Sequence, residues 1–155
     1  VKSSRSAPVD VNIVNQTASR LPKKFLIEWV GRVIKELKRR KVSLPSKTRG
    51  NKSELVIAFV GMAEMKRLNK TFRRKNRVTD ILSFEGEDEN SLGELVICLD
   101  VIRTQAAEHG LSMSEELGYM ILHGVLHLLG YEHEKSASKA KRMFSLQDEI
   151  FEKLR

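Results

Sequence analysis

The chain is poor in the features that mark a secreted or membrane protein. It has one cysteine, Cys98, in 155 residues, so no internal disulfide can form. A lone thiol in an apolar run fits core packing and a reducing compartment. No apolar run approaches the ~18 residues needed to span a bilayer. The opening residues, V-K-S-S-R-S-A-P, lack the apolar stretch of a secretory signal. A cytoplasmic location with no membrane partner is therefore expected, and residues 1–7 are expected to form a disordered tail.

Acid is what the two most basic stretches lack. Residues 35–52 carry Lys35, Lys38, Arg39, Arg40, Lys41, Lys47, Arg49 and Lys52 against Glu36 alone. Residues 66–77 carry Lys66, Arg67, Lys70, Arg73, Arg74, Lys75 and Arg77 with no acid. One such run is an ordinary solvated face. Two of them, in a chain of net charge +8, favour a polyanionic partner, with RNA or DNA phosphates the obvious choice. Neither run has the face of large aromatics that a membrane surface would select.

What is present suffices for one domain with a sizeable core: apolar residues make up 41% of the chain. V-D-V-N-I-V, residues 9–14, alternates with a period of two, as a half-buried strand does. Phe25, Leu26, Trp29, Val30, Val33, Ile34 and Leu37 recur at helical spacing after Pro22, predicting a helix to about Arg40. A basic loop follows over residues 43–52. Residues 54–60, E-L-V-I-A-F-V, read as an interior strand, then a short helix over 63–72 and a basic turn over 73–78. Residues 79–84 and 92–99 read as strands joined by an acidic turn, close enough to pair as an antiparallel hairpin. Asp100 is placed to cap a helix over 101–109. Ser112 and Glu115 are spaced as a capping box for the next helix, which is apolar on nearly all sides and so belongs in the middle of the fold. A last amphipathic helix over 136–154 is expected to bury Ala140, Met143, Phe144, Leu146, Ile150 and Phe151. The order predicts a single α+β domain, a four-stranded mixed sheet packed with helices, with a zincin-like metal helix in its centre.

Histidine is nearly absent outside that central helix. Three of the chain's four, His123, His127 and His133, fall in I-L-H-G-V-L-H-L-L-G-Y-E-H-E. The first two are one helical turn apart on one face. Gly130 can end the helix in a left-handed turn and bring His133 back. Three histidines with an open fourth position form a catalytic zinc arrangement, although imidazoles also suit nickel, copper or iron. His109, before Gly110, reads as a helix-end residue and not a ligand. The segment is similar to the metalloprotease pattern H-E-x-x-H, but Gly124 stands where the catalytic glutamate would be. That glycine either leaves room above the metal or allows close helix packing. Arginines of the basic turn could stabilise charge on a phosphoryl group or simply bind phosphates.

H-G-V-L-H-L-L-G-Y-E-H-E, L-N-K-T-F-R-R-K-N-R-V-T-D-I-L-S-F and L-G-E-L-V-I together resemble the bacterial YbeY endoribonuclease family, over residues 55–143. The resemblance implies a zinc-dependent, single-strand-specific endoribonuclease of ribosomal RNA maturation, including the small-subunit RNA 3′ end, and of ribosome quality control. It implies one Zn²⁺ per chain on His123, His127 and His133, with Arg73 as the functional arginine. Glu132 and Glu94 stand where the family usually carries Asp. On this reading metal-activated water attacks a phosphodiester while Arg73 stabilises the developing charge. Arg74, Lys75 and Arg77 would hold the strand, and Glu132 and Glu134 are adjacent candidates for the general base, which equally could orient a histidine or face solvent. The partners would be single-stranded ribosomal RNA, the small ribosomal subunit and its assembly proteins. Two rivals use the same residues: a metallopeptidase or amidase, and a non-catalytic ribosome-assembly factor whose metal is structural.

Overall fold

The period-two run at the start of the chain forms β1 (Val9–Asn15), and the helical periodicity after Pro22 forms α1 (Lys23–Arg39). β2 (Ser53–Val60) and α2 (Met62–Arg73) follow, then the hairpin β3 (Ile81–Glu85) and β4 (Ser91–Cys98). Three helices close the chain: α3 (Leu99–His109), α4 (Met113–Leu128) and α5 (Ala137–Leu154). The computed structural model describes residues 9–44, 53–88 and 90–155. The expected tail over 1–7 and the basic loop from residue 45 to 52 lie outside the described residues.

The sheet order is β1-β2-β4-β3. β1 pairs parallel with β2 and β2 parallel with β4, while β3 runs antiparallel to β4 along one edge. The fold is therefore a mixed four-stranded α+β domain, as the element order implies. Alternation along the strands sends side chains to two faces. Leu55, Ile57, Phe59, Leu95 and Ile97 join the large core with α1, α4 and α5. Ala58, Val60, Val96 and Cys98 pack on the other face with Met65 of α2. Cys98 is buried and unpaired, the packing role its apolar run implies.

α4 is the buried hub, packed against α1, α3, α5, β3 and β4. Leu117, Ile121, Leu122, Val125 and Leu126 are fully buried along it. Each such side chain contributes ~1.5–3 kcal/mol relative to exposure, so the helix is held firmly along every side but the one that carries the histidines. Its crossing with α1 is close because Gly118 lies under Trp29, whose indole N–H donates to the Gly118 carbonyl at 2.8 Å.

Gly124 faces the sheet. A Cβ at this position would lie 2.6 Å from Leu95 Cδ2 and 2.9 Å from Ile81 Cδ1. Of the two readings this glycine left open, close packing accounts for it, and room above the metal does not.

Three local details also differ from expectation. α3 starts at Leu99 with Cys98 as its N-cap, so Asp100 lies inside the first turn and pairs with Arg103 at 2.9 Å instead of capping. Arg73 is the last residue of α2, not part of the turn, and Arg74 takes the left-handed cap at φ 58°. Phe144 is not core: it is 38% exposed.

Candidate metal centre and its basic cleft

The histidine helix is anchored at its start by the capping box that its sequence spells. Ser112 Oγ accepts from the Glu115 N–H at 3.1 Å, and Glu115 Oε1 accepts from the Ser112 N–H at 2.9 Å. At its other end Gly130 adopts φ 100°, the left-handed region where a Cβ is strained. The Tyr131 N–H donates back to the Leu126 carbonyl at 3.0 Å, which fixes the turn. The chain is thereby folded back so that His133 meets His123 and His127. One ring nitrogen from each of the three lies within 4.8 Å of the others. Ring centroids are 4.6 Å apart for His123–His127, 5.3 Å for His123–His133 and 5.0 Å for His127–His133.

The donor chemistry suits a transition-metal ion. Burial pushes the His127 pKa down to about 4, reinforced by its two histidine neighbours. Burial likewise lowers His123, against an opposing hydrogen bond from Gln147. Both imidazoles are thus held neutral, with lone pairs available. Gln147 Oε1 lies 2.9 Å from His123 Nδ1, and a carbonyl oxygen can only accept, so this contact suits the tautomer protonated on Nδ1 with Nε2 bare. That Nε2 faces His127 Nε2 at 3.1 Å. Two nitrogens on a tetrahedral ion bound at ~2.0–2.1 Å stand ~3.3–3.4 Å apart, so the pair already has nearly that spacing.

Gln147 is the residue that sequence reading missed. It is fully buried on α5, and its Nε2 has no hydrogen-bond partner. The available signal was a polar residue at a core position between Met143 and Ile150. His109 is outside the cluster, as expected: it ends α3 and its Nδ1 lies 2.8 Å from Glu116 Oε1. The contact with Glu116 raises its pKa.

The histidines open onto a cleft of about 820 Å³. Edge strand β3 lines it, together with Phe72, Arg73, Lys75 and Arg77 from the end of α2 and its following turn. α2 packs on the opposite sheet face from α4, so these residues reach the cleft around the sheet edge. Asn69, buried at the end of α2, donates through Nδ2 to the Arg77 carbonyl at 2.9 Å and holds the turn in place. Arg73 Nη2 lies 3.1 Å from Glu134 Oε2, which joins the basic turn to the residue after His133. Arg74, at the left-handed cap, does not line the cleft.

Glu132 acts within the loop that carries His133. Its Oε2 accepts from the Lys135 N–H at 2.8 Å and the Glu134 N–H at 3.1 Å. These backbone bonds, Lys135 first, hold its carboxyl below the usual range. Asp80 of the T-D-I-L-S-F run lines the same cleft and is held in place by hydrogen bonds. Its Oδ1 accepts from the Ile81 N–H at 2.7 Å and its Oδ2 from Gln105 Nε2 at 3.0 Å, which fixes the start of β3.

The family model described as Endoribonuclease YbeY matches residues 12–155. An endoribonuclease YbeY of Bdellovibrio bacteriovorus is 47% identical over 146 residues, covering 94% of this chain and 95% of that one. One from Persephonella marina is 38% identical, covering 87% and 85%. A solution structure of a Thermotoga maritima protein superposes with a TM-score of 0.60 at 27% identity, covering 92% of this chain and 87% of that one.

Proposed function

The chain belongs to the Endoribonuclease YbeY family and is an endoribonuclease of ribosomal RNA processing, and on that premise we propose that His123, His127 and His133 hold one zinc ion, beside which Arg73 stabilises the charge of a cleaved phosphodiester. The observation that carries this reading is the convergence of three imidazoles, two of them kept neutral by burial, on a cleft lined by Arg73, Lys75 and Arg77. A bound divalent ion supplies Lewis acidity and a water of lowered pKa.

The chain's own residues do the rest. Gln147 fixes the proton on His123 Nδ1 and aims Nε2. The Glu132 turn carries His133 into place. Lys75 and Arg77 hold the flanking phosphates of a single strand, and Arg73 exchanges its exposed partner Glu134 for the reacting phosphate. Exposed ion pairs contribute only ~0–1 kcal/mol, so this exchange costs little. No side chain is assigned as general base. The substrate is single-stranded ribosomal RNA, with the small-subunit 3′ end among the sites, and the small ribosomal subunit and its assembly proteins are the partners. A cytoplasmic site of action fits this role. Among the described residues no helix is long and apolar enough to cross a membrane.

Metal removal tests the reading. Purified protein should contain one zinc per chain by elemental analysis and cut a single-stranded small-subunit precursor RNA. Chelation should stop cleavage and added zinc restore it. A protein that cuts equally well when metal-free, or that never cuts RNA, would defeat the proposal; the second outcome would favour a structural metal.

Gln147 supplies a finer test. Gln147→Leu keeps the volume but removes the acceptor, so His123 is free to change tautomer. Loss of an orienting partner typically lowers metal affinity ~10–100-fold. A chromogenic-chelator competition should show that weakening, with Gln147→Glu retaining tight binding because its carboxylate still accepts. Unchanged affinity in Gln147→Leu would remove Gln147 from the site.

A further inference from the structure

Large apolar side chains exposed to solvent are few among the described residues: Ile27, Met62, Phe72 and Phe144. Two of them, Phe72 and Phe144, line the cleft that holds the histidines. Phe144 is committed to the metal centre. Its ring lies 6.0 Å from His123 at 25° and 5.4 Å from His133. Phe72 has no such duty. It is 61% exposed, yet it is not loose: it meets Phe84 of β3 edge-to-face, with centroids 5.1 Å apart and planes at 75°. A contact of this kind orients a ring and leaves much of its surface to a further partner.

Its neighbours say what that partner is. Phe72 is followed by Arg73, whose guanidinium reaches Glu134 beside the histidines, and Lys75 and Arg77 share the same wall. A ring among cationic groups, one residue from the proposed phosphate-binding arginine, suits a flat apolar group attached to a chain of negative charges. An unpaired nucleobase has that form. Bases inside a duplex are covered on both faces by their stacking neighbours, whereas a single strand can turn one face to a protein ring.

We propose that Phe72 is a stacking platform for an unpaired base next to the phosphate held by Arg73, and that it contributes to selection of single-stranded over duplex RNA. This inference rests on the endoribonuclease reading, but it is tested by binding and does not require cleavage. The probes are a short single-stranded RNA and an abasic strand of the same backbone, length and charge, with binding read by stopped-flow fluorescence before turnover. Wild-type protein loaded with zinc should bind the base-bearing strand more tightly than the abasic one. Phe72→Ala should weaken the base-bearing strand about 5- to 150-fold, the range for loss of one base–aromatic stack. It should leave abasic affinity and zinc content unchanged. Phe72→Leu, which keeps an apolar contact with Phe84, should lose as much, and Phe72→Trp should keep binding and show RNA-dependent quenching of its emission. The proposal is overturned if Phe72→Ala binds both strands like wild type, if it loses both equally, or if the wild type does not discriminate between them. Those failures would leave zinc binding and RNA cleavage standing, whereas absence of cleavage with the stacking pattern intact would count against the nuclease reading alone.

Discussion

His127→Ala is expected to remove bound zinc and to reduce RNA cleavage to background, a loss of at least ~10³-fold. His127 and His123 present their Nε2 atoms to each other at 3.1 Å, and His133 completes the cluster from the loop. With one ligand gone, two imidazoles remain, one on the rigid helix and one on a turn. Two ligands do not make the three-residue set that catalytic zinc uses. The consequence for rate is large because a bound metal moves the pKa of water from 15.7 to about 7, and no side chain here replaces that function. The fold should survive. His127 is at the cleft side of α4, while Leu117, Ile121, Leu122, Val125 and Leu126 keep the helix buried. Circular dichroism should therefore match wild type, with zinc per chain falling toward zero. A variant that retains one zinc per chain and normal cleavage would dismiss His127 as a ligand.

Much of this site was legible in the sequence because its logic is local. The i, i+4 histidines, the capping box at Ser112 and the left-handed Gly130 each depend on residues within one turn, and each is found as spacing predicts. The hairpin of β3 and β4 is local too. What was not legible depends on distance. Gln147 reaches His123 across 24 positions, and no periodicity within α5 can say what the facing helix presents. Phe144 lies three positions before the buried Gln147, at the border of the apolar face, so amphipathic spacing placed it in the core, whereas it lines the cleft against His123 and His133. Gly124 left two readings open because a missing side chain looks the same whether a substrate or a leucine occupies the space. Only Leu95 and Ile81, brought over by the sheet, decide it.

Arg73→Ala should lower kcat by ~10²–10³-fold while leaving zinc content at one per chain. That range is the usual loss when a single donor aimed at developing negative charge is removed. The argument starts from α2, which ends at Arg73 and places it on the cleft wall facing Glu134 at 3.1 Å. Arg73 is 41% exposed and Glu134 60%, so their pair is weak and the guanidinium is available to a phosphate. Arg73→Lys should recover only part of the rate, because an ammonium supplies charge without the planar fork that engages two oxygens. Arg73→Glu should be worse than Ala: it sets a carboxylate against both Glu134 and the RNA backbone. Arg74→Ala is the control, one residue away but outside the cleft, and should cut RNA at near the wild-type rate. The informative quantity is the division between kcat and KM at constant zinc. A loss confined to KM would make Arg73 one more phosphate contact among Lys75 and Arg77, and its proposed role in the cleavage step would be withdrawn.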